Sequence, residues 1–437
     1  MEERSGRLQG GGDAEGKCEM RAVVAIMVAA ISATLVAKTY DVRDYGAKGD
    51  GVAIDTAAIQ KAVDAANAVG GGLVELSAGT YLSGTIWLKS NVEFHLCAGA
   101  TLKGSTNKID YCTVGDYAQN VASKPGPDSE AVSGGHLIVA VEQTHITISG
   151  PGKIDGNGLY FCTYSNGCER FHQREYEWRP GAMLHLVECD NVRITDVELV
   201  NSTYWNCFVH GCEQVFVRGV RVLTPRSPHI LNGDGFTIDA CKYVTISDCH
   251  IVAYDDGLTI RCDNRRLKKR HECAFVTVNN CTISARMDGI RIGVGANGSI
   301  HDVTFSNIAI HDTRTAVNFC SGWWNQGVPI RNVRFRGMVI DAVDFLRMHN
   351  NGNKEPMEDV YFSDISGYVR MRSRIWPIAP NMFRNFRFIN VDLPHGLEAF
   401  DVDGLNVSGG SFQVLPMSET DIKHVKGELA AGRDILW

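Results

Sequence analysis

The 437-residue chain is poor in proline, with 12, and carries no surplus of positive charge: 43 Lys and Arg face 50 Asp and Glu, for a formal net charge of -7. That balance argues against a general nucleic-acid binder, because a polyanionic partner needs a cationic field, so any grip on an acidic polymer has to be local. Long apolar runs are scarce too. The one such stretch, AVVAIMVAAISATLV from Ala22 to Val36, follows Arg21 and ends in small residues. It is too short to favour a membrane span and has the charged, apolar and cleavable parts of a secretory leader. Residues 1–37 are expected to be an upstream extension and signal peptide, with 38–437 the mature domain, secreted or periplasmic and without a retained membrane span. A retained anchor is the rival reading. Helical periodicity is also rare. It is confined to one amphipathic segment, where Asp55 or Thr56 can cap a helix whose Ala58, Ile59, Ala62, Val63 and Ala66 recur at helical spacing.

Beyond that segment the chain has a 44% hydrophobic content that excludes disorder as the default, and 45 glycines that suit many tight turns. Short β-rich runs return along it. They align on Ile146, Val192, Val215, Val244, Val276, Val303, Val333, Val360 and Phe386; after a first gap of 46, the intervals are 23, 29, 32, 27, 30, 27 and 26 residues. A period this short, sustained through most of the chain, predicts a solenoid with one rung per repeat. Other positions keep step. Three residues before the anchors stand Cys189, Cys212, Cys241 and Cys273, continued by Ile300, Ile330, Met357 and Phe383; five residues after them come Val197, Val220, Cys249, Cys281, Ile308, Met338 and Ile365. These read as inward columns in which cysteine serves as a small hydrophobe rather than a metal ligand. The predicted fold is all-β, a single-stranded right-handed parallel β-helix with the N-terminal helix capping its open end. Cys162 and Cys168, in the loop FCTYSNGCER, are candidates for a disulfide that closes a surface loop, with a pair of free thiols as the alternative.

One repeat is polar. Asp234-Gly-Phe-Thr-Ile, Asp256-Gly-Leu-Thr-Ile and Asp288-Gly-Ile-Arg-Ile follow at intervals of 22 and 32 residues, with Asp255 beside the middle member. Strands about 4.8 Å apart would stack these carboxylates. Two ionised members would repel by roughly 3 kcal/mol at an effective dielectric near 20, equivalent to about two pKa units. Asp-Gly is a common turn signal, but three in register suggest a site where one carboxyl holds a proton while another is ionised. Glycoside hydrolysis needs that division between acid and base. Calcium coordination by the same carboxylates is the leading functional rival.

The order of motifs resembles glycoside hydrolase family 28, the polygalacturonases and relatives, within the pectin lyase-like β-helix superfamily. YDVRDYGAKGDG resembles the family's opening, KIDGNG at Lys153 to Gly158 the turn before its central rungs, and RPGAMLHLVECDNVRITDVELVNSTYWNCFVHGCEQVFVRGVRV from Arg179 to Val222 its central template. The family's Asn-Thr-Asp appears as Asn232-Gly233-Asp234 and its paired aspartates as Asp255-Asp256. The resemblance implies Asp255 as general acid, Asp234 and Asp256 as the carboxyls that hold and activate water, and inversion at the anomeric carbon. It also departs: Met287-Asp288-Gly289 replaces Gly-His-Gly, and Asn318-Phe319-Cys320 aligns with Arg-Ile-Lys, removing two cations that grip a sugar carboxylate.

Asn232, Arg261, Asp288, Arg291 and Asn318 are the expected substrate-binding residues, and Trp205, Tyr254, Trp323 and Trp324 are candidate sugar platforms or packing residues. The run Arg265-Arg266-Leu267-Lys268-Lys269-Arg270 is either a steering loop for an acidic glycan or a solvated loop. The expected protein is a monomeric hydrolase of a pectic or related polysaccharide that needs no cofactor or metal. A calcium-dependent lyase or epimerase, and a catalytically idle glycan-binding β-helix, are the alternatives.

Overall fold

The computed structural model describes residues 38–115, 134–165, 168–173, 178–225, 232–321, 327–350, 355–376 and 382–419. The expected leader, Trp323 and Trp324, and the side chains of Cys162 and Cys168 lie outside them.

The chain winds as a right-handed parallel β-helix whose strands hydrogen-bond to equivalents one turn earlier and one turn later. The repeat frame read from sequence is the observed register: Ile146, Val192, Val215, Val244, Val276, Val303, Val333, Val360 and Phe386 pair in succession. The two flanking columns line the interior, with their cysteines buried. Their thiols are satisfied along the coil, as where Cys212 and Cys241 Sγ accept from the backbone N–H of Cys189 and Cys212 at 3.3 and 3.4 Å. Toward the C-terminus the filling becomes aromatic: Phe305, Phe335, Phe362 and Phe388 stack on successive turns with ring centroids 4.7 to 4.9 Å apart.

Helix α1 (Thr56–Ala68) packs its Ile59, Ala62, Val63 and Ala66 stripe on the first turns, each fully buried. An aliphatic side chain such as Ile59 contributes about 2 kcal/mol there. Asp55 stands at the N-cap, where its carbonyl accepts from Ile59 N–H at 3.0 Å but its side chain does not cap the helix; its carboxylate accepts from Lys48 and Gly49 N–H at 2.7 and 3.0 Å. Thr56 Oγ1 likewise accepts from Gly84 N–H at 2.8 Å. Both capping side chains thus fasten the helix to its surroundings. Outside the coil, Cys162–Ser165 and Cys168–Gln173 form an antiparallel hairpin that the repeat frame does not predict.

Seven strands carry the face that matters for function: β1 (Leu184–Val187), β2 (Cys207–His210), β3 (Phe236–Asp239), β4 (Leu258–Asp263), β5 (Asp288–Ala296), β6 (Ile300–Ser321) and β7 (Ile330–Asn350).

Candidate active site

The three Asp-Gly segments enter β3, β4 and β5 at matching positions. Phe236, Leu258 and Ile290 pair in register, while Gly235 N–H bonds Asp256 O at 2.9 Å and Gly257 N–H bonds Asp288 O at 2.8 Å. Asp234, Asp256 and Asp288 therefore occupy one column, which continues through Thr315 to Asp344. The glycines have a steric reason: a Cβ on Gly235 would lie 2.3 Å from Gly257 O, and one on Gly257 2.4 Å from an Ile283 methyl. Close approach of neighbouring turns is what lets the carboxyls stack.

Asp234 and Asp256 are buried, whereas Asp255 is only partly so. Burial pushes the Asp234 carboxyl well above the usual range, and the charges of Asp255 and then Asp256 add to the rise against Arg291 and Arg261. Asp256 has its own partners: Arg291 Nη1 donates to Oδ2 at 2.9 Å, and Asp288 N–H donates to Oδ1 at 3.2 Å. Asp288 accepts from Asn318 Nδ2 at 2.6 Å, and its pKa is raised to about 7, by burial first and then by Asp256.

The other expected residues divide. Arg291 and Asn318 stand in register within a column that includes His185 and runs from it through Phe208, Thr237 and Thr259 to Arg347. Arg261 lies two positions along β4, where its Nε pairs with Asp239 at 2.8 Å and its guanidinium lies 5.5 Å from the Trp205 ring centre. Asn232 Oδ1 accepts from Arg179 Nη2 at 2.9 Å; Arg179 is fully buried and also lies 4.7 Å from the Tyr204 ring centre. Trp205 is partly exposed and stacks on Tyr204, while Tyr254 is buried.

Four supporting residues went unread in the sequence. Asn206 clamps the Asp234 carbonyl with backbone and side-chain N–H at 2.9 and 2.8 Å. Arg179 holds Asn232, Asp239 holds Arg261, and Arg347 pairs with Asp344 at 2.6 Å while its charge reaches Asp288. Asp239 precedes Arg261 by the same 22 residues that separate Asp234 from Asp256, which is the signal that could have found it.

The charged residues of the basic insertion are solvent-exposed, as the solvated-loop reading expected, but the segment is tethered at several points. Arg265 pairs with Asp263 at 2.6 Å, Lys268 with Glu142, and Lys269 N–H donates to Glu188 at 2.8 Å. Leu267 seats against Val139 and Val187 on earlier turns. The segment is strapped back across the coil.

Upstream on this face, His136 and His185 lie buried with ring centroids 4.1 Å apart. Burial lowers His136 to about 4 despite a 2.8 Å contact between its Nδ1 and Ala182 O; burial and then His136 lower His185 further. Both are neutral when folded and able to charge when unfolded. Stability is therefore full above about 6.5 and lost as pH falls toward 4, by an amount on the order of 3 kcal/mol for His136. The Tm advantage of the wild type over His136→Asn is expected to shrink across that interval. A constant difference in a pH series of melts would refute this.

Comparison with known proteins agrees with this architecture. Residues 101–274 match Glycosyl hydrolases family 28, and residues 39–154 match Rhamnogalacturonase A/epimerase, pectate lyase-like. A probable polygalacturonase of Vitis vinifera is 27% identical over 341 residues, covering 73% of this chain; the chain spans 62% of that protein's length. A mannuronan C5-epimerase of Azotobacter vinelandii is 54% identical over 90 residues, 19% of this chain and 6% of that protein. The exopolygalacturonase of Thermotoga maritima superposes with a TM-score of 0.64 at 18% identity, over 86% of this chain and 90% of that one. Over residues 101–274 the chain is similar to glycoside hydrolase family 28, and its fold is the parallel β-helix of the exopolygalacturonase it superposes on.

Proposed function

We propose that the chain is a glycoside hydrolase that cuts a pectic or related acidic polysaccharide, acting as a secreted or periplasmic monomer. The observation that carries the reading is the carboxyl cluster. Asp255 is half-buried, beside a buried Asp256 that is ion-paired to Arg291 and a buried Asp234 that retains a proton far above the usual range. Asp255 protonates the leaving oxygen, Asp256 with Asp234 holds and activates the attacking water, and direct attack inverts the anomeric centre.

Substrate acidity is supported by the similarity to a probable polygalacturonase. Asn318 and Cys320 stand where the family resemblance places the cations that grip the sugar carboxylate, so the substrate is assigned by class and not as galacturonate.

The test is incubation with polygalacturonate, rhamnogalacturonan and alginate, reading reducing ends and ultraviolet absorbance together. New reducing ends without an absorbing product are expected, undiminished by a chelator. An unsaturated, chelator-sensitive product would instead mean elimination. Altered uronate composition without chain cleavage would mean epimerisation, the reading favoured by the short epimerase-like stretch.

A further inference from the structure

We propose that Asp288 is a positioning residue for Asp256: as a neutral acid it leaves Arg291 committed to Asp256, and its ionisation divides that cation between two carboxylates and closes the site at alkaline pH. The proposal rests on the hydrolase reading above, in which Asp256 serves the water.

The geometry rests on an internal comparison. Asp288 and Arg291 stand three apart on β5, and Asp344 and Arg347 stand three apart on β7, in register with them through Thr315 and Asn318. On β7 the arginine bonds its own strand's aspartate, Nη2 and Nε of Arg347 reaching Asp344 Oδ2 at 2.6 and 2.9 Å. The spacing therefore permits a same-strand pair. On β5 that pair is not made: Arg291 turns back one turn to Asp256.

Asp288 is left, 6% exposed, with Asn318 Nδ2 on its Oδ2. The charged groups facing it are Asp256 from β4, Arg291 from its own strand and Arg347 from β7. Cys320, on β6, lies beyond Arg291, whose Nη2 contacts its Sγ at 3.7 Å. An ionised Asp288 would face Asp256 across one strand spacing and compete for Arg291. A neutral one accepts from Asn318 and competes for nothing. The rise of its pKa to about 7 agrees with this geometry.

The expected signature is in pH dependence rather than rate alone. For the wild type, kcat/KM should fall about tenfold per pH unit above 7, since a single group titrating out of its active form has that slope. In Asp288→Asn the limb moves upward, and the ratio of kcat/KM at pH 8.5 to that at pH 5.5 rises at least about tenfold over the wild-type ratio. A profile of unchanged shape, merely scaled down, would assign Asp288 an ordinary structural role and overturn the proposal.

A second measurement needs no turnover. A buried carboxyl that keeps its proton to pH 7, when the unfolded chain loses it near 4, makes the fold lose stability as pH rises between those values. The Tm of Asp288→Asn relative to wild type should therefore climb from pH 4 to 7 and then level. A pH-independent difference would overturn the neutral acid directly. Wild-type inactivity on every polysaccharide would instead sink the hydrolase reading, and the melting series would still report on Asp288.

Discussion

Asp255→Asn is expected to lower kcat by roughly 10²- to 10⁴-fold on whichever polysaccharide the wild type cleaves, the range lost when a positioned general acid is removed. The substitution keeps shape and takes away the transferable proton. Asp255 is half-buried at the edge of the column, and its carbonyl still accepts from Met287 N–H at 3.1 Å, so the fold should be preserved. Steady-state kinetics beside a thermal melt check both halves. Near-normal turnover would remove Asp255 as the acid, and a collapsed melt would make the loss uninformative. Asp256→Asn offers a contrast. It strips the charge that compensates Arg291, which is 23% exposed at the side chain, so both rate and stability should fall.

The largest stability effect is expected from Phe335→Ala. Its ring is buried between Phe305 and Phe362 at 4.8 and 4.7 Å and meets Phe319 edge-on at 6.0 Å. Removing it opens a cavity inside a column that cannot close, since the flanking turns are fixed by their strand hydrogen bonds. A cost of about 3–5 kcal/mol follows, the lost ring contacts included. In a solenoid, stability is largely local, so hydrogen exchange should accelerate first in the turns around residues 300–390. Denaturant midpoints and exchange mapping decide it: a loss below about 1 kcal/mol would mean that the column repacks.

Much of this architecture was legible before any coordinates. The anchor positions from Ile146 to Phe386 are the pairing register, the cysteine columns point inward, and the Asp-Gly repeats stack. Each is a property of one turn repeated, and repetition is visible in sequence. What stayed hidden depends on how turns are offset or how one face meets another. Arg347 is the clearest case. Ile310 pairs with Ile340, thirty residues on, but after an irregularity before Thr313 the partner of Asn318 is Arg347, only twenty-nine on. A fixed repeat length places Met348 opposite Asn318 and misses the arginine. Asn206 and Arg179 act through backbone carbonyls or a neighbouring turn, for which residue type carries no period. Asp55 was legible as a helix start but not as the acceptor for Lys48 and Gly49.

The strapped insertion has a mechanical consequence. In a pure stack each coil answers only to its immediate neighbours, so the molecule could unzip from either end one layer at a time. Lys268 joins Glu142, 126 positions earlier, and Lys269 joins Glu188, so the layer bearing Asp256 is clamped to layers it does not touch through the sheet. Fraying that begins at the N-terminal end must break this clamp before it reaches the carboxyls, which places a lock on the approach to the reactive layer from that side.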